Sequence, residues 1–90
     1  MLIPHNWELD DVLHGSFRCF GKKSRWIVVH RSKNYVVIRS ITTLKTRRVK
    51  VFFDEESGQF FANHRMNFIA KEPLEKIPKY YLSLYPFLST

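Results

Sequence analysis

SFRCFGKKSRWIVVHRSKNYVVIRSITTLKTRRVKVFF, residues 16–53, contains no aspartate or glutamate and carries 11 of the chain's 15 basic residues. These bases are Arg18, Lys22, Lys23, Arg25, Arg31, Lys33, Arg39, Lys45, Arg47, Arg48 and Lys50. Between them lie short β-branched and aromatic runs at 26–29, 35–38 and 49–53, which read as strands because such side chains suit a pleated surface. The stretch divides into a strand at 16–20, a turn at 21–24, a strand at 25–31 and a turn at 32–34. A third strand covers 35–41, a looser connection 42–45, and a fourth strand 47–53.

Alternation within these strands predicts which residues share a face. Val36, Ile38 and Ser40 fall together, as do Val49, Val51 and Phe53. Tyr35, Val37 and Arg39 then share the outer face with Arg48, Lys50 and Phe52, and Arg18 and Phe20 join them from the first strand. Residues 26–29 are apolar on both faces, which predicts a central strand covered on both sides, at least in part.

Working outward, Asp54, Glu55, Glu56, Ser57 and Gly58 form a hairpin signal: turn formers ending in a glycine able to take positive φ. Residues 59–62 return as a fifth strand, and 68–70 add a short one. Short loops between sequential strands predict antiparallel pairing of neighbours. Upstream, Asn6 is a helix cap, Glu8, Asp10 and Asp11 suit a helix N-terminus, and Gly15 suits a helix end, so a short helix is predicted over 7–14. Downstream, 71–78 is a linker interrupted by Pro73 and Pro78, with one helical turn at 74–76. Pro78 opens a helix over 79–85, with Tyr81, Leu82 and Tyr85 at helical spacing. The apolar C-terminus is expected to dock on the sheet; a partner-binding segment is the alternative.

The expected architecture is a single α+β domain over residues 1–90: a short N-terminal helix, an antiparallel sheet of about five strands and a packed C-terminal helical segment. A small, partly closed barrel of the same strands is the alternative. A hydrophobic fraction of 44% and an aromatic fraction of 16% exclude a disordered chain. Cys19 is the only cysteine, so no intramolecular disulfide and no thiolate-rich zinc site is possible. The N-terminus lacks signal-peptide features and no apolar run is long enough to span a bilayer, so a cytoplasmic location is expected.

A net charge of +7 and a pI near 9.9 call for an anionic partner. Bases interleaved with rings on one sheet face suit single-stranded nucleic acid, where cations meet phosphates and rings stack on bases. The candidate nucleic-acid-binding set, for DNA or RNA, is Arg18, Phe20, Lys22, Lys23, Arg25, Tyr35, Arg39, Lys45, Arg47, Arg48, Lys50 and Phe52. No cofactor and no metal site is expected. The four histidines, His5, His14, His30 and His64, show no metal-ligand spacing, and there is no phosphate loop or nucleophile elbow. Two alternatives stand beside binding. One is a metal-independent, toxin-like ribonuclease using His30 or His64 with Arg39, Arg48 or Arg65. The other is an accessory or inhibitory protein docking on an acidic protein surface.

Overall fold

The computed structural model describes residues 4–17, 23–65, 67–74 and 76–86. Six strands follow in order: β1 (Val12–Phe17), β2 (Lys23–Arg31), β3 (Tyr35–Ser40), β4 (Thr46–Asp54), β5 (Gln59–His64) and β6 (Asn67–Ala70). Each pairs antiparallel with the next, and β6 pairs back onto β1, with Gly15 opposite Ile69. The sheet is therefore a closed meander barrel. Strand β4 serves its two neighbours in succession, residues 46–50 pairing with β3 and residues 51–54 with β5. Among the described residues one short α-helix, α1 (Lys79–Leu84), follows Pro78.

The predicted alternation holds across β3 and β4. Val36, Ile38 and Ser40 are buried in the barrel with Val49, whereas Arg39, Arg48 and Lys50 are exposed. The interior is filled by Leu13, Trp26, Val28, Val36, Ile38, Val49, Ala62 and Ile69. A second cluster lies outside the barrel, where Phe61, Phe68 and Ala70 are covered by Leu74 and by Tyr81 of α1.

No N-terminal helix forms. Residues 4–11 make an irregular strap and Val12 already belongs to β1. An isolated two-turn helix is marginal in water. Here the strap instead gains sheet-like bonds: Asp10 N–H donates to Val28 O at 2.8 Å and Val28 N–H to Asp11 O at 3.0 Å. The acids that suggested a helix start make a turn. The Asp11 carboxylate accepts the Glu8 N–H at 2.8 Å, and Asp10 takes a φ of 69°. Trp7, 1% exposed, seals one end of the barrel, and Leu9 points to solvent at 55% exposure. His5 helps to anchor the strap, since its Nε2 meets Ser32 O and its Nδ1 accepts the Trp7 N–H at 3.2 Å.

Gly15 is a strand residue, not a helix stop. A Cβ there would lie 2.4 Å from Ser24 Oγ and 2.9 Å from Trp26 Nε1, so its absence makes room for the indole inside the barrel. Strand β2 is covered on its outer side only in part: Trp26 and Val28 point inward, Ile27 is half-buried and Val29 is exposed. A bulge between Val28 and His30 resets the alternation, so that His30 pairs with outward-facing Val37. The predicted turn at 74–76 is absent at Leu74 and Lys76, which lie in irregular chain; Glu75 is outside the described residues. The 54–58 hairpin forms as expected, with Gly58 at φ 71° and its N–H donating to Asp54 O at 2.8 Å.

Candidate anion-binding mouth and basic wall

The interior side chains change character from one end of the barrel to the other. At the end opposite Trp7, the inward-facing residues are Ser24 on β2, Ser40 on β3, Arg47 on β4, His64 on β5 and Asn67 on β6. Below this polar ring come Trp26, Ile38, Val49, Ala62 and Ile69, all buried. The ring, with Lys23, Thr42, Thr43 and Lys45 on its rim, lines an open cleft of about 470 Å3 whose apolar wall is Trp26. Barrel mouths are recurrent ligand sites, and this volume is in the usual range for them.

The mouth is organised by its own hydrogen bonds. Arg47 donates from Nε to His64 Nε2 at 3.3 Å and from Nη1 to Thr46 O at 2.8 Å. A neutral His64 accepting at Nε2 carries its proton on Nδ1. Burial lowers the His64 pKa, and the Arg47 and Arg65 charges lower it further. Trp26 Nε1 donates to Ser24 Oγ at 2.9 Å and packs edge-on against His64 at 6.2 Å. Ser40 Oγ accepts the Thr43 N–H at 3.2 Å, tying the β3–β4 loop to the rim. Both serines accept through oxygen and so retain an O–H to donate. With the ammonium groups of Lys23 and Lys45, the mouth presents mainly donors and positive charge.

The outer wall of β2, β3 and β4 carries the rest of the predicted set. Arg39 lies between Ile27 and Thr46, Arg48 beside Val37, and Lys50 beside Tyr35. The Arg48 guanidinium stacks over the Tyr35 ring at 4.0 Å. Arg25 is exposed on the same wall. Phe52 is placed differently: its ring stacks against Tyr80 of α1 at 4.2 Å, so one face is occupied by the helix. Arg47 is separated from the wall too, because its inward position puts it in the mouth. Arg18, Phe20 and Lys22 lie outside the described residues.

Charge is segregated along the barrel axis. Every described acid lies at the sealed end: Glu8, Asp10 and Asp11 in the strap, Asp54, Glu55 and Glu56 in the β4–β5 turn, and Glu72 after β6. Two of them pair with lysines outside the wall and mouth, Asp11 with Lys71 at 2.9 Å and Glu56 with Lys79 at 3.3 Å. Among the described residues, no carboxylate pairs with a base of the wall or mouth. No three described His, Cys, Asp or Glu residues are grouped to hold a metal ion, and no described helix is long and apolar enough to cross a membrane.

Sequence reasoning found the wall through its missing acids, but it did not find the mouth. The signal was present: the inward parity of β2 to β6 ends in serine, serine, arginine, histidine and asparagine. It becomes readable only once inside and outside are assigned. For proton transfer the mouth offers one histidine, whose Nε2 is already engaged by Arg47; for holding an anion it offers donors from five strands. No protein-family model matches this chain, and no curated protein or solved structure matches it either.

Proposed function

We propose that the protein binds single-stranded nucleic acid along the basic wall of β2, β3 and β4, with more affinity than sequence specificity. The observation that carries this proposal is the segregation of charge, with every described acid at the sealed end and only bases on the wall and mouth. Cations that no carboxylate neutralises are free to exchange their counterions for phosphates. Tyr35, held under Arg48, offers a ring beside them for base stacking.

The test is binding of short DNA and RNA single strands over a range of salt. Changing Arg39, Arg48 and Lys50 together to Ala is expected to weaken binding to all sequences alike. Each lost phosphate contact should flatten the salt dependence by about 0.7 in log–log slope. The same change at Lys33, Lys76 and Lys79, outside the wall, should do much less. Equal losses from the two triples would reduce the effect to net charge and overturn the wall as the binding surface.

A further inference from the structure

We infer that the open mouth of the barrel is a pocket for one nucleotide unit, its phosphate on the Lys23, Lys45 and Arg47 cations and its ring against Trp26. The inference rests on the nucleic-acid proposal for its choice of ligand, but it concerns a different surface. The wall is convex and tracks a backbone; the mouth is concave and ends in a polar ring above an indole.

The geometry argues for such a ligand in three ways. Donors dominate: the Ser24 and Ser40 hydroxyls, the His64 Nδ1–H and the rim ammonium groups all seek acceptors, as phosphate oxygens and base carbonyls provide. Arg47 is already held by His64 and by Thr46 O, so little side-chain freedom is lost when it meets an anion. A cleft of about 470 Å3 with an aromatic wall fits a small planar ligand and is too confined for a duplex.

The two tryptophans supply a built-in control, since Trp7 is at the sealed end and Trp26 lines the mouth. Their indole N–H resonances can be followed in the full chain during titration with uridine 5′-monophosphate, uridine, inorganic phosphate and a short oligothymidylate. The monophosphate is expected to move the Trp26 indole and the Arg47 Nε–H while leaving Trp7 unmoved, with uridine or phosphate alone binding more weakly. Lys23 and Lys45 are exposed, so Lys23→Ala with Lys45→Ala should keep the fold, verified by the unchanged Trp7 signal. That variant should bind the monophosphate about tenfold more weakly. Strand binding with no response at Trp26 would overturn the pocket and leave the wall standing. A Trp26 response to the monophosphate without strand binding would support the pocket and remove the wall proposal. No response at Trp26 to any probe, together with no strand binding, would sink both.

Discussion

Two residues, one in the mouth and one packed beneath it, convert this geometry into measurable behaviour. His64 has its folded pKa below the ordinary 6.5 because it is part-buried and has Arg47 and Arg65 beside it. The unfolded chain therefore takes up this proton more readily than the folded one. The resulting stability is present above pH 6.5 and lost as pH falls through the folded pKa. His64→Gln keeps an acceptor for Arg47 and does not titrate. Denaturant melts across that pH window should show the parent losing stability relative to the variant on acidification; a constant gap would mean that burial and the neighbouring arginines do not lower the ring's pKa. Gly15 is the second. Gly15→Ala places a methyl against Ser24 Oγ and the Trp26 indole, and overpacking of this kind costs about 1–3 kcal/mol. Part of that loss should be relieved in Gly15→Ala with Ser24→Ala, and strictly additive losses would show that Ser24 is not what the methyl meets.

At the scale of elements, the barrel depends on two segments that are not strands. The strap plugs one end with Trp7, and α1 covers the β5–β6 exterior with Tyr81, which is fully buried. Trp7→Ala and Tyr81→Ala should each cost about 3–5 kcal/mol, the range for emptying a large aromatic site. That is a large share of the ~5–15 kcal/mol by which such a domain is stable. Deleting residues 80–90 should accordingly give an unfolded or aggregating chain. A truncated protein with an unchanged melting transition would recast the C-terminal segment as a partner-binding element. The hydrophobic burial explains why α1 persists at six residues, too short to be stable alone.

Across the whole molecule, charge position matters separately from charge amount. Lys45→Glu and Lys33→Glu each lower the net charge by two, from +7 to +5. Lys45 stands on the mouth rim and Lys33 in the β2–β3 turn at the sealed end. At low salt, association with an oligothymidylate should slow more for Lys45→Glu, and the two variants should converge as screening shortens the reach of the field. Identical rates at low salt would mean that the molecule is steered by net charge alone.

The alternation of residues 35–40 and 46–53, the antiparallel order of the strands, the 54–58 hairpin and the helix after Pro78 were all legible in the chain, because each depends on neighbours a few residues apart. So was the acid-free wall, which is a matter of composition. The missing helix at 7–14 was not legible, since the bonds that extend the strap come from Val28 on another strand. Closure was not settled either: a period of two says which residues share a face, but only the pairing of β1 with β6 makes one face concave. That long-range pairing turned Ser24, Ser40, Arg47, His64 and Asn67 from scattered polar residues into a ring. The docking of α1 likewise placed Phe52 under Tyr80. Local periodicity determined the elements; contacts between distant segments decided which surfaces became interior, mouth and wall.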